Sequence, residues 1–224
     1  MRLLENVVRE ANVHIPDGFL NVPTAAITYA VSAGALAYGV REANKKLREK
    51  HVPLMGVMGA FIFAAQMLNF PVVGGTSGHL IGAALAAILL GPWAATIVMA
   101  CVLIVQCLIF QDGGLLSLGA NIFNMGFLAS FGGYYVYRLF TKALGEGRRS
   151  QLASAFAAGW ASVSLAAIAC AVELSVSGTS PIKVALPAMA GVHALIGIGE
   201  GLITLAVLSF VAATRRDLLE LQKV

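Results

Sequence analysis

Two of the four histidines in this 224-residue chain stand in short polar stretches where an imidazole could do chemistry. His14 lies in "NVHIPDGFL" (Asn12 to Leu20), and His79 closes "NFPVVGGTSGH" (Asn69 to His79), 65 positions further on. Neutral imidazole suits zinc, copper, nickel and cobalt, so the pair is a candidate metal site. The competing reading is that each histidine caps a helix or bonds a backbone carbonyl, and spacing alone leaves both open. Asp17 either caps the turn before Gly18 or bonds the outer nitrogen of a metal-bound imidazole, a partner such rings usually have. Asn69 joins Gln66, Gln106, Asn121 and Asn124 as amides that tie helices together first and support a site second. Pro16 has no N–H and holds Ile15 extended, which stiffens the approach of this strand.

The remaining polar groups carry weaker signals. His193 and Glu200 are seven apart, hence on one helical face. A structural pair, or a bond to the amides, is the favoured reading over a proton relay, although an intramembrane carboxylate needs some partner. Asp112 in "FQDGGL" reads as a solvated turn residue, and six methionines (Met55, Met58, Met67, Met99, Met125 and Met189) read as core packing. Cys101, Cys107 and Cys170 fall inside apolar runs and read as buried small residues. The GxxxxGK[ST] signature is missing from the sequence, so ATP hydrolysis by this chain is not expected.

The elements that must position these residues are membrane helices. Hydrophobic residues make up 58% and charged residues 12%, against about 25% charged in soluble domains, and the mean hydropathy is +0.83. Seven spans are predicted, at roughly 22–40, 53–70, 79–92, 93–110, 115–140, 152–176 and 184–213, the third too short to cross fully. The expected architecture is one all-α integral membrane domain over 13–224, with 1–12 as an extension. Pro71, Gly74, Gly75 and Gly78 break helical structure ahead of His79, which predicts a re-entrant or pocket-lining loop. Lysine and arginine collect in 41–51, after span five and in the tail, so the tail is expected in the cytoplasm and the N-terminal segment outside. The same clustering assigns the net charge of +4 to topology and excludes a nucleic-acid partner. Residues 1–12 lack the apolar stretch of a secretory signal. On span one, Ala26, Ala30 and Gly34 repeat every four residues, as do Ala33 with Ala37 and Ala35 with Gly39, faces that permit close helix approach.

Four stretches in order, "VHIPDGFL", "FPVVGGTSGHLIGAALAAILLGPWA", "FQDGGLLSLGANIFNMG" and "HALIGIGEGLIT", make the chain resemble the CbiM/NikM family from about His14 to Arg216. That resemblance implies the substrate-binding membrane component of an energy-coupling-factor transporter for nickel or cobalt in a bacterial or archaeal cytoplasmic membrane. It implies a transport component, not an enzyme, and partners comprising a coupling membrane subunit docked on the small face of span one, two cytosolic ATPases and, in some systems, a small accessory membrane subunit. It also implies the ligand set for Ni2+ or Co2+: a terminal amine, the backbone nitrogen and imidazole of the second residue, and a loop histidine. Here these fall on the main-chain nitrogen of Val13, on His14 and on His79. Twelve residues precede Val13, so its nitrogen is a free amine only if translation starts there or the chain is trimmed to it; otherwise other ligands, Asp17 and Asn69 the nearest, must serve. Two other classes stay open: a secondary transporter or channel using Glu200 and His193, and a haem-binding membrane protein with two axial histidines.

Overall fold

Backbone N–H and C=O groups in hydrocarbon find no water, so an apolar chain must satisfy them within itself, and the helix does this residue by residue. The computed structural model describes residues 14–46, 51–67, 70–72, 76–145, 147–215 and 218. Among them the order is α1 (Val22–Lys46), α2 (His51–Gln66), a two-stranded hairpin β1 (Phe70–Val72) and β2 (Thr76–Gly78), α3 (Ala83–Leu90) and α4 (Pro92–Val105). Then come α5 (Leu118–Asn121), α6 (Ala129–Leu144), α7 (Arg148–Val176) and α8 (Ile182–Thr214). A π-helical turn, Gln106–Phe110, prolongs α4, and another, Ile122–Leu128, joins α5 to α6 in one rod. The seven predicted spans thus return as seven helical rods. Three of them, Pro92–Phe110, Arg148–Val176 and Ile182–Thr214, are long and apolar enough to cross a membrane.

Local chemistry sets the boundaries. Asn21 accepts the amide of Thr24 at 2.9 Å and so caps α1, with Pro23 in the first turn where its missing N–H costs nothing. Gly91, at φ 86°, ends α3 on the carbonyl of Ala87, and Pro92 opens α4. α3 spans only about 12 Å at 1.5 Å per residue, and Ala83 to Leu89 are all buried. It is an internal plug rather than a crossing, and the residues ahead of it, His79 to Gly82, are non-helical and buried. The expectation of a span from 79 is corrected on this point: glycine at 82, left-handed at φ 79°, keeps the helix from starting earlier.

Small residues bring α7 and α8 together, the most extensive helix pairing in the molecule. A Cβ added at Gly201 would stand 2.7 Å from Phe156 Cδ2 and 2.8 Å from the Phe156 carbonyl, and one at Gly197 would stand 2.9 Å from Trp160 Cδ1. These two glycines form a GxxxG face, and van der Waals approach of backbones replaces the hydrophobic drive that lipid does not supply. Met58, Met99, Met125 and Met189 are core residues as expected, whereas Met67 is exposed. Cys107 and Cys170 are buried, but Cys101 is exposed, because it sits on the outer side of α4 along an open apolar groove with α1 and α2. On α1 the small faces divide: Gly39 packs on Trp93, while Ala26, Ala30 and Gly34 are exposed, with open space where a Gly34 Cβ would go.

These contrasts give a paired expectation. Gly201→Ala overpacks a closed interface and should cost about 1–3 kcal/mol, read as a lower thermal midpoint in detergent, while Gly34→Ala should leave the midpoint unchanged or slightly raised. Equal behaviour of the two variants would mean that the α7–α8 approach is not set by Gly201.

Candidate metal centre

The segment after Val13 has no helix to satisfy its backbone, so side chains do it. Ile15 donates its N–H to Asn121 Oδ1 at 2.8 Å, and its carbonyl accepts from Asn121 Nδ2 at 3.1 Å and from the Gly114 amide at 2.9 Å. Asn121 therefore reads the Ile15 backbone from both edges, as a neighbouring strand would. Ser117 Oγ donates to the Pro16 carbonyl at 3.1 Å. Ile15 is buried against Ala120, Ala167, Cys170, Ala171, Ala185 and Met189. Gly113 and Gly114 allow this docking: a Cβ at Gly113 would meet Asn121 Nδ2 at 2.9 Å, and one at Gly114 would overlap Asp17.

The result is that His14 and His79, 65 residues apart in sequence, meet. Their ring centroids are 4.9 Å apart at an interplanar angle of 83°, with 3% and 7% of each residue exposed. His79 Nδ1 contacts the Leu80 carbonyl at 2.9 Å, and a carbonyl only accepts, so Nδ1 carries the proton and the lone pair is on Nε2. His14 Nε2 has no hydrogen-bond partner among the described residues, and Nδ1 faces only the Asp112 carboxylate. Burial, and secondarily the charge of His79, lowers the His14 pKa to about 4 even though Asp112 draws it upward. His14 is thus held neutral at physiological pH, the form that binds metal.

Other expected residues are placed differently. Asp17 does not support an imidazole: its carboxylate is spent on the amides of Leu115 (3.0 Å), Leu116 (2.7 Å) and Ser117 (3.3 Å), where it fixes the turn leading into α5. The carboxylate that approaches the site is Asp112, read from sequence as solvated, whose Oδ1 lies 3.3 Å from His14 Nδ1. Its place follows from the turn Gln111–Gly113, which passes through two left-handed residues. Val13 and Asn69 lie outside the described residues. His193 and Glu200 are buried but do not pair. His193 Nδ1 donates to the Met189 carbonyl at 2.8 Å, and Glu200 accepts the amides of Ile81 and Gly82 at 2.7 and 2.8 Å. Gln106 and Gln66 are linked at 2.7 Å, and Asn124 donates to Glu173 at 2.7 Å, so the amides tie helices as expected, with Asn121 the exception that holds the site. No cluster of three or more His, Cys, Asp or Glu side chains that could hold a metal occurs among the described residues. A metal at the histidine pair would therefore draw on main-chain nitrogen or solvent as well.

Comparison with known proteins follows the same lines. The family profile described as "Cobalt uptake substrate-specific transmembrane region", CbiM, matches residues 14–218. A protein of Archaeoglobus fulgidus, provisionally named a fused nickel transport protein NikMN, is 46% identical over 211 residues, 93% of this chain and 68% of its own length. The cobalt transport protein CbiM of Geobacter sulfurreducens is 34% identical over 217 residues, 92% of this chain and 61% of its own. The crystal structure of a truncated transition-metal transporter superposes with a TM-score of 0.80 at 38% identity, covering 89% of this chain and 98% of that one.

If Asn121 carries the strand, Asn121→Leu, similar in volume but without either hydrogen bond, should expose residues 14–20 to protease. It should also weaken nickel binding by about 10–100-fold, the range for loss of a supporting contact. Unchanged protease protection in a folded variant would show that the apolar contacts of Ile15 suffice.

Proposed function

This chain belongs to the CbiM family, a membrane protein of nickel and cobalt transport, and from that premise we propose that it captures the metal at the buried His14–His79 pair. The cargo is Ni2+ or Co2+, taken up on the outer side of the membrane. The ligands are the free amine of residue 13, the main-chain nitrogen and imidazole of His14, and Nε2 of His79. The observation that carries this reading is the meeting of two buried imidazoles, with His14 Nε2 lacking any hydrogen-bond partner among the described residues. A buried polar group left unpaired costs about 1–3 kcal/mol, and coordination supplies what the protein does not.

The geometry suits this chemistry. An amine and a histidine at the second position form fused chelate rings through the nitrogen between them, and a fourth nitrogen from His79 completes a plane, the arrangement Ni(II) accepts readily. Nickel is on this ground the preferred cargo. The family match opens at His14, so residues 1–12 precede the shared part of the chain. The two clamps on this segment, Asn121 on Ile15 and Asp17 on 115–117, hold His14 beside the His79 ring without a helix. The rings lie too close together for a porphyrin between them, and Glu200 and His193 are both engaged with backbone, which favours metal capture over the haem and proton-coupled alternatives. Energy for release comes from partners: a coupling membrane subunit and two cytosolic ATPases, with a small accessory membrane subunit in some systems. The exposed Ala26, Ala30 and Gly34 face of α1 is the docking surface for the coupling subunit.

A chain beginning Met-His at positions 13 and 14 should bind nickel tightly and release it on acidification, as amine and imidazole take back their protons. The chain that keeps residues 1–12, or the short chain acetylated at its terminus, offers only an amide there. Each should lose at least the about 10–100-fold expected of a supporting contact. Equal affinity in all three forms, by titration against a competing chelator, would exclude the amine as a ligand.

Docking has its own test. Leucine at positions 30 and 34 should reduce co-purification with the coupling subunit while nickel binding by the isolated protein persists. Normal assembly of that double variant would remove the α1 face from the interface.

A further inference from the structure

His79 stands at the head of four residues of non-helical backbone, and that stretch is anchored almost entirely by side chains from distant helices. Glu200, on α8 and 1% exposed, reaches across with both carboxylate oxygens: Oε2 accepts the Ile81 amide at 2.7 Å and Oε1 the Gly82 amide at 2.8 Å. From the other side Gln66 Nε2, on α2, donates to the Ile81 carbonyl at 2.7 Å, and Gln106 Nε2 donates to Gln66 Oε1 at 2.7 Å. Gln106 opens the π-helical turn at the end of α4, a local widening of the kind often found at functional sites. Gly82, in a left-handed conformation, presses against Ile62, where a Cβ would come within 2.8 Å of Cγ1.

One peptide group in this stretch has a partner at each end. The N–H of Ile81 and the C=O of Leu80 belong to the same planar amide and point to opposite sides. Glu200 takes the N–H, and the Leu80 C=O takes the proton of His79 Nδ1 at 2.9 Å. The chain of contacts therefore runs carboxylate, peptide, imidazole. A carboxylate acting on the outer nitrogen of a metal-binding histidine fixes its tautomer and turns the ring, and raises its basicity. Here a peptide is interposed, and hydrogen bonds in series polarise one another.

We infer that Glu200 is the positioning residue of the metal site, presenting Nε2 of His79 to the cargo through the Leu80–Ile81 peptide. The inference rests on the metal reading proposed above and adds a residue to it. Glu200 touches neither metal nor imidazole; it holds the plane against which the imidazole is set. It also ties the His79 loop to α8, so a shift of that helix relative to the loop bears on this ligand.

A double-variant cycle tests it. Nickel affinity, measured against a competing chelator together with the visible spectrum of the bound ion, is compared in wild type, Glu200→Gln, His79→Ala and the pair combined. Glu200→Gln keeps the shape but offers one acceptor where the loop needs two, and it should weaken binding by about 10–100-fold and shift the spectrum. In the His79→Ala background, where the nitrogens at residues 13 and 14 give residual weak binding, the same change should cost nothing further. If Glu200→Gln does not yield folded protein, Glu200→Asp is read the same way, since it keeps both carboxyl oxygens but is one methylene too short to reach both amides. Wild-type affinity and spectrum in the Glu200 variant beside a crippled His79→Ala would overturn the positioning role alone, as would an equal loss in both backgrounds. Wild-type affinity in His79→Ala would overturn the metal reading itself, and this inference with it.

Discussion

Irregular backbone has to be satisfied by protein if it is to lie at membrane depth, and both histidine-bearing segments obey this constraint. The segment at 14–17 is held by Asn121, Gly114 and Ser117, while its Asp17 holds the turn at 115–117. The stretch at 79–82 is held by Glu200 and Gln66. Polar side chains that would be costly in the bilayer are thus spent on backbone groups that would be equally costly alone, and each exchange fixes the position of a neighbouring imidazole. The site is a by-product of solving a desolvation problem twice in the same place.

The helices serve that arrangement. α3 is too short to cross and is buried from Ala83 to Leu89 among the longer helices, directly after the His79 stretch. Tight α7–α8 packing through Gly197 and Gly201 places Glu200 between them in sequence and directs it inward. Two π-helical turns, at 106–110 and 122–128, lie in the rods that carry Gln106 and follow Asn121. Each changes the angular register of its rod beside a residue whose amide is aimed at the site or its support.

Chemically the pair of histidines differs in its preparation. His79 has its tautomer set by a carbonyl, with one lone pair outward. His14 has no such bond and is kept neutral by burial. Asp112 brings a carboxylate within 3.3 Å of His14 Nδ1, an approach its sequence neighbourhood of glycines conceals.

The sequence by itself determined the class of molecule and the identity of the principal residues. Long apolar runs have one physical solution in lipid, so seven helical rods could be counted from hydropathy, and glycine and proline ahead of His79 announced a non-helical approach. Polar residues in such a setting are few enough that His14 and His79 stood out, whereas Asn121 read as one of five helix-tying amides and Glu200 as a partner of His193 or of those amides. Partners were another matter. Nothing in spacing says that Asp17 serves the 115–117 amides while Asp112 faces His14, because both are aspartates beside glycines and their targets lie about a hundred residues away. Nor could periodicity show that His193 and Glu200, on one face, each bond backbone rather than one another, or that the Ala26–Ala30–Gly34 row is exposed while Gly39 is packed on Trp93. Hydrophobic periodicity encodes which side of an element is apolar. Which distant group meets a given polar atom depends on how the rods are stacked and where they bulge, and only the tertiary structure decides that.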